Sequence, residues 1–140
     1  MKASRQGGSG RVTGYLVVFL GAGIGGALRH GVNTLAARLL GITFPYGTLT
    51  VNVAGSLVMG LLIGLFALRA DPGQAWRLFL TTGILGGFTT FSTFSLDVAV
   101  LHERGETGTA AFYAVLSLVL SVAALFVGLT VVRALARGAA

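Results

Sequence analysis

The sequence predicts an all-α membrane protein with four transmembrane helices, and three of its features support this fold class. Apolar residues make up 54% of the 140 residues, and charged residues only 10%. A water-soluble domain usually has about 25% charged residues to cover its surface, so this composition suits a lipid environment better. The apolar residues are grouped into four stretches, each near the roughly 20 residues that cross a bilayer. Glycine, with 22 residues, recurs within the stretches at helical spacing.

These stretches predict one transmembrane domain behind a short N-terminal tail. We expect residues 1–14, "MKASRQGGSGRVTG", to form a mobile polar tail and residues 15–140 to form a single four-helix domain. The predicted spans are about 15–40, 47–68, 75–100 and 109–135. Because the connections are short, consecutive helices are expected to be antiparallel neighbours. Small-residue seams allow helix backbones to approach closely in lipid, and this packing role explains most of the glycines.

Several classes of function find no support in the sequence. The absence of cysteine excludes thiolate chemistry and disulfides. The net charge of +6 comes from basic residues near the ends of the apolar stretches, as in basic residues flanking transmembrane helices, so no nucleic-acid partner is expected. Gly21, Gly23 and Gly26 match a dinucleotide-binding pattern, but the next carboxylate, Asp71, comes too late to bind a ribose. No nucleophile–base pair or metal-ligand spacing is recognisable, and we expect no enzyme.

The third stretch contains the string "GILGGFTTFSTFS", residues 83–95, which predicts a break in the middle of a helix. Gly86 and Gly87 each weaken a helix by about 1 kcal/mol relative to Ala. The β-branched residues Thr89 and Thr90 follow directly. A broken helix in lipid exposes backbone carbonyls, each at a cost of several kcal/mol unless something binds them. Such carbonyls coordinate cations in transporters with discontinuous helices.

Hydroxyl groups recur every four residues in the fourth stretch, at Tyr113, Ser117 and Ser121. This spacing places all three on one face of a helix. A single intramembrane serine usually bonds a carbonyl of its own helix, four residues back, and that explanation stays open for each one alone. Three in register favour a polar track.

Three further side chains each allow a structural and a functional interpretation. Phe91 and Phe94 share a helical face beyond the expected break, and they either line a path or pack against a neighbouring helix. Asn52, in the second stretch, either bonds another helix or presents its amide to an anion. Arg29, in the second half of the first stretch, is either an interfacial residue or the positive charge of an anion vestibule.

These strings resemble the Fluc fluoride channels, also called the CrcB family. "GGFTTFSTF" is similar to the family's signature in its third helix, and "GAGIGGALRH" and "GTLTVNVAGSLVMG" are similar to its first and second helices. The hydroxyl series of the fourth stretch is also similar, so the resemblance covers about residues 15–135.

The resemblance implies a subunit that pairs with itself as an antiparallel, dual-topology homodimer with two fluoride pathways. It implies a helix break at residues 86–89, where the backbone carbonyls of Gly86 and Thr89 from both subunits hold a central structural Na⁺. The implied pathway residues comprise two ring edges, an amide and a set of hydroxyls: Phe91, Phe94, Asn52, Tyr113, Ser117 and Ser121. Thr48 and Asp97 are also implied to lie near the path. Arg29 lies toward a vestibule. The implied function is passive fluoride export across the bacterial inner membrane.

Charge distribution and two other functions bear on this hypothesis. Most Lys and Arg residues outside the spans fall on the side that carries both termini, whereas dual topology predicts little such bias. A proton-coupled exporter of cationic drugs is the first alternative, but it needs a carboxylate in a central helix, and spans one, two and four contain none. A non-conducting scaffold is the second alternative, and it would tolerate replacement of Phe91 or Asn52.

Overall fold

The computed structural model describes residues 7–68 and 73–138, with side chains from Val12 onward, and this part of the chain is helical without strands. Its elements are α1 (Gly7–Leu40), α2 (Tyr46–Leu68), α3 (Gln74–Arg77), a π-helix (Leu78–Leu85), α4 (Gly86–Phe88), α5 (Phe91–Glu103) and α6 (Thr107–Gly138). Four helices in the described ranges are long and apolar enough to cross a membrane, and the third consists of the segments from Gln74 to Glu103. The predicted all-α, four-span fold is therefore confirmed.

The first helix begins earlier than the sequence predicts. Residues 7–14 of the expected tail are the first turns of α1, while residues 1–6 lie outside the described part. At its other end α1 stops at Leu40, as predicted, because Gly41 adopts a φ of +81° and donates its N–H to the Ala37 carbonyl. Glycine is the residue that most readily adopts this left-handed conformation after a helix. Residues 41–45 then lead into α2.

The third span is broken near its middle, as predicted, but its glycine pair remains helical. Gly86 has φ −64° and ψ −36°, whereas Thr89 (φ −78°, ψ 159°) and Thr90 (φ −155°, ψ 120°) are extended. The break therefore begins at the last residue of the expected range 86–89. Gly87 is needed for packing instead, since a Cβ there would lie 2.5 Å from the Ala22 carbonyl oxygen. The third span is bent by about 14°.

Glycines hold the helices together at two crossings. Between α2 and α6, a Cβ on Gly60 would collide with the Leu125 carbonyl oxygen, and one on Gly128 would lie 2.5 Å from the carbonyl oxygen of Leu57. Between α1 and the third span, a Cβ on Gly25 would collide with the Ile84 carbonyl oxygen. Such backbone-to-backbone contact is the usual way in which small residues join helices in lipid. The α2–α6 crossing fixes the polar faces of these two helices relative to each other.

Large apolar side chains cover the outside of the bundle. Tyr15, Phe19, Leu39, Leu118 and Leu135 are each exposed over more than half of their surface. In water such a surface would drive association, whereas in a bilayer it matches the acyl chains. The buried core is correspondingly small and centres on Leu101, Ala110 and Tyr113.

Candidate functional site at the helix break

The Asn52 side chain holds the broken backbone of the third span. Its Nδ2 donates to the Thr90 carbonyl oxygen at 3.0 Å, and its Oδ1 accepts the Thr90 N–H at 2.8 Å. The amide thus replaces the backbone acceptor that a continuous helix would give the Thr90 N–H, and it adds a donor to the Thr90 carbonyl. Since the two residues are 38 positions apart, this pairing ties α2 to the break.

Several backbone carbonyls lose their helical donors at the break, among them those of Gly86 and Thr89. In a continuous helix the Gly86 carbonyl would accept the Thr90 N–H, which here goes to Asn52. The Thr89 carbonyl would accept the Thr93 N–H, which here donates to the Thr90 Oγ1 at 3.2 Å. Thr90 thereby caps the N-terminus of α5 in the manner of a typical N-cap threonine. The carbonyls of Gly86 and Thr89 are the pair that the family resemblance assigns to a sodium ion.

A cavity of about 360 Å³ lies beside the break, between α2, the third span and α6. Its wall contains six of the residues expected at the site: Asn52, Thr89, Phe91, Phe94, Ser117 and Ser121. The rings of Phe91 and Phe94 are 5.4 Å apart between centroids, and Phe91 is 79% exposed in the single chain. The cavity therefore combines amide, hydroxyl and aromatic groups, and it is open on one side.

Hydroxyl groups on the cavity wall of α6 differ from hydroxyls elsewhere in the spans. Thr81, Ser95 and Thr130 each donate to the carbonyl four residues earlier, at 2.7–2.9 Å. Ser117 and Ser121 make no such bond, and the Ser117 Oγ is buried without any partner. The local hydrogen bond that explains most intramembrane serines is thus absent for these two in the described structure. Their donors are free for another acceptor.

Tyr113 and Thr48 lie next to the cavity but outside its wall. Tyr113 is fully buried and donates its hydroxyl to the Asp97 Oδ2 at 3.1 Å, and Thr48 is buried beside it. The Tyr113 ring contacts the rings of Phe94 and Phe44, each at 5.5 Å between centroids. The carboxylate of Asp97 is consequently directed to Tyr113, and the described residues of the cavity wall include no acidic group.

Arg29 and Gly86 do not contribute to the cavity wall. Arg29 is half-buried on α1 and makes no hydrogen bond or ion pair within the described residues. Gly86 is exposed, and a Cβ there would meet no atom of α1 within 4 Å. The structure thus brings together the amide, the two rings and two of the hydroxyls, and leaves the vestibule residue apart.

Two polar residues of the site were missed by the sequence reasoning. Thr90 caps α5 and occupies the position directly before a helix start, which is the local signal for an N-cap. Ser56 lies on the cavity wall and follows Asn52 by one helical turn. That spacing is the same as between the hydroxyls of the fourth stretch, so the pattern was present in the sequence.

Four spanning helices, one of them broken beside a cavity that combines amide, hydroxyl and aromatic groups, define a multi-pass membrane protein of the channel or transporter class. The model of the family described as CrcB-like protein, Camphor Resistance (CrcB), matches residues 16–129. The chain belongs to this family.

Curated relatives match nearly the whole chain. A relative from Methylobacterium nodulans is 62% identical over 118 residues, which is 84% of this chain and 94% of the relative. One from Nitrobacter hamburgensis is 57% identical over 119 residues, 85% of this chain and 96% of the relative. One from Granulibacter bethesdensis is 57% identical over 124 residues, which is 89% of this chain and 98% of the relative. The first and third are named fluoride-specific ion channel FluC, and the second fluoride-specific ion channel FluC 2. Together with the four spans, these bacterial relatives assign the chain to the prokaryotic plasma membrane.

Proposed function

We propose that this protein is a fluoride-selective ion channel that lets cytoplasmic fluoride leave the cell passively. The observation that carries the proposal is the cavity beside the break, where the Ser117 hydroxyl is buried without a protein partner. A buried hydroxyl without a partner costs about 1–3 kcal/mol, and a bound anion would supply that partner. The names of the relatives agree with a fluoride ligand.

Donor groups on the cavity wall suit a small, strongly hydrated anion. Transferring an unpaired ion into an apolar medium costs tens of kcal/mol, so the path must replace the hydration shell. Ser117 and Ser121 have hydroxyl donors available, and Asn52 has a second amide N–H besides the one bonded to Thr90. Conduction also requires that each contact be weak enough for release, which neutral donors allow.

Phe91 and Phe94 supply the aromatic part of the proposed pathway. The edge of a phenyl ring carries the positive end of its quadrupole, so it is able to face an anion. The two rings meet on the cavity wall. The Phe94 ring also contacts the ring of Tyr113, and Thr48 lies beside Tyr113. Asp97 holds the Tyr113 hydroxyl in place from the far side. Arg29, on α1, would attract anions from a vestibule.

The proposed active unit is an antiparallel homodimer with two such pathways. In the single chain Phe91 is 79% exposed, and the neighbouring hydroxyl residues Ser92 and Ser95 are exposed as well. Polar groups in the middle of a span are costly against lipid. A second copy that packs on this face would cover them and close the open side of the cavity.

A structural sodium ion fits the carbonyls at the break. Gly86 and Thr89 both have carbonyls without their helical donors, and oxygen ligands are what hard cations prefer. Gly86 is exposed, so a second copy has access to the same place. When bound, the ion would supply a fixed positive charge near both pathways. Asn52 and Thr90 would keep the carbonyls available by binding the competing N–H groups.

Anion efflux from liposomes that contain the purified protein tests the proposed function. We expect rapid, voltage-driven loss of fluoride without loss of chloride. Phe91→Ile should slow fluoride loss strongly, because it removes the ring at the open side of the cavity. Phe126→Ile is the matched control, since Phe126 is 60% exposed on α6 and is not on the cavity wall. Equal leakage of both anions would contradict the proposal.

A further inference from the structure

We infer that the Ser56 hydroxyl is a further anion donor of the pathway, contributed by α2 opposite the serines of α6. This inference rests on the proposed function and adds a residue to it. Ser56 lies on the cavity wall and is half-buried. Its hydroxyl makes no hydrogen bond with the described residues, unlike Thr81 and Thr130, which bond their own helices.

The register of α2 against α6 places Ser56 level with Ser121. The two helices run in the same direction, since Thr48 lies beside Tyr113 and Gly60 meets Leu125 further along. Both of these pairs are separated by the same number of residues along the chain. Asn52 lies one turn after Thr48, and the same separation pairs it with Ser117. Ser56 lies two turns after Thr48, and the same separation pairs it with Ser121.

The result is a ladder of polar side chains on both walls. Its rungs are one helical turn apart, with Thr48, Asn52 and Ser56 on α2 and Tyr113, Ser117 and Ser121 on α6. The lower rung lies beside the cavity wall, where Tyr113 is fully buried and bonded to Asp97. The middle and upper rungs face the cavity. An ion that moves along the cavity would therefore find donors from both helices at each level.

Beyond the upper rung the ladder ends in a tight helix contact. Gly60 follows Ser56 by one turn and touches the backbone of α6 at Leu125. Backbone contact at this level keeps the walls at a fixed separation next to Ser56. We infer that Ser56 donates to the anion from this position, where Met59 and Leu125 supply the apolar remainder of the wall.

Fluoride efflux from liposomes, measured for Ser56→Ala and Ser56→Thr, tests the inference. We expect Ser56→Ala to lower the fluoride efflux rate about threefold to tenfold, the effect of one lost hydrogen bond. Thr130→Ala, which removes a hydroxyl bonded to its own helix, should leave the rate unchanged. Elution from a sizing column in detergent checks that each variant is assembled as the wild-type protein is.

The outcomes separate this inference from the proposed function. If the wild-type protein carries fluoride and Ser56→Ala carries it equally well, Ser56 is not a donor and the channel proposal stands. If Ser56→Ala does not purify as an assembled protein, Ser56→Thr decides: a rate near the wild-type rate supports a hydroxyl role, and a tenfold loss overturns it. If the wild-type protein carries no fluoride, both proposals are wrong.

Discussion

At the scale of single residues, Asn52 is the side chain on which the geometry of the site depends most. Like a peptide group, a primary amide both donates and accepts in a single plane, and Asn52 uses both functions on Thr90. This explains why an amide, rather than a serine or an aspartate, lies beside the break. The anion-binding interpretation needs only its second N–H.

Replacing Asn52 tests this structural role directly. Asn52→Leu would leave the Thr90 N–H without a partner and take one donor from the Thr90 carbonyl, and an unsatisfied buried group costs about 1–3 kcal/mol. We expect a clearly lower melting temperature in detergent, measured by the intrinsic fluorescence of the protein. Asn52→Asp should also be destabilising, because a carboxylate would face the Thr90 carbonyl. Wild-type melting of both variants would show that the pairing does not hold the break.

Tyr113 offers a second test at this scale. Tyr113→Phe removes the hydroxyl bonded to Asp97 and leaves the ring packed between Phe44 and Phe94. A side-chain hydrogen bond contributes about 0.5–1.5 kcal/mol, so we expect a smaller loss of stability than for Asn52→Leu. Tyr113→Phe in a background of Asp97→Asn gives the coupling between the two residues. An additive double variant would mean that the hydrogen bond has no energetic role.

At the scale of helices, packing explains much of the pattern that the sequence left ambiguous. The four spans could be predicted because apolar runs of this length have few other uses. The break near the middle of the third span could also be predicted, but not its exact residues, because a glycine pair predicts both a weak helix and a close contact, and Gly87 serves the contact with Ala22. The Asn52–Thr90 pairing is tertiary, and no local pattern indicates it.

Two other differences from the predicted elements have local causes. Glycine-rich residues 7–14 have low helix propensity, so they read as a tail, yet they continue α1. The π-helix over Leu78–Leu85 has no distinct composition, since its residues would suit an α-helix equally well. The hydroxyl series of α6 was predictable in spacing, but only the structure distinguishes bonded from free hydroxyls.

Glycine-to-alanine substitutions in α1 should act in opposite directions. Gly25→Ala places a Cβ against the Ile84 carbonyl oxygen and should destabilise the protein by forcing α1 away from the third span. Gly23→Ala meets nothing within 4 Å, so it should stabilise α1 by about 0.5–1 kcal/mol. Chemical unfolding in detergent measures both. Equal effects of the two substitutions would contradict the described crossing.

The N-cap of α5 gives a second test at the scale of helices. Thr90→Ala removes the acceptor of the Thr93 N–H, and loss of such a cap costs about 0.5–2 kcal/mol. Thr90→Ser retains the hydroxyl and should recover most of this loss. If the serine variant were no more stable than the alanine variant in chemical unfolding, the cap would not stabilise the break.

At the scale of the whole molecule, a single subunit leaves its site unfinished. The cavity is open, Phe91 is exposed, and Ser92 and Ser95 beside it are exposed as well. This face therefore differs from the rest of the surface, whose apolar side chains match the acyl chains of lipid. A second copy with the same face is the simplest cover. An antiparallel arrangement would bring two equivalent breaks together and give each subunit one pathway.

Such an arrangement requires the chain to insert in both orientations, and the basic residues near the termini make this its most demanding consequence. Because the protein has no cysteine, a single Glu103→Cys variant carries the only thiol of the chain, in an exposed position at the end of α5. A membrane-impermeant maleimide added to intact spheroplasts should label about half of the molecules, since dual topology places this residue equally on both sides. Labelling after lysis supplies the total, and Arg137→Cys, on the side opposite Glu103 in every molecule, is the matched control that should also give half. Complete labelling of one variant and none of the other would establish a single orientation and exclude the antiparallel dimer.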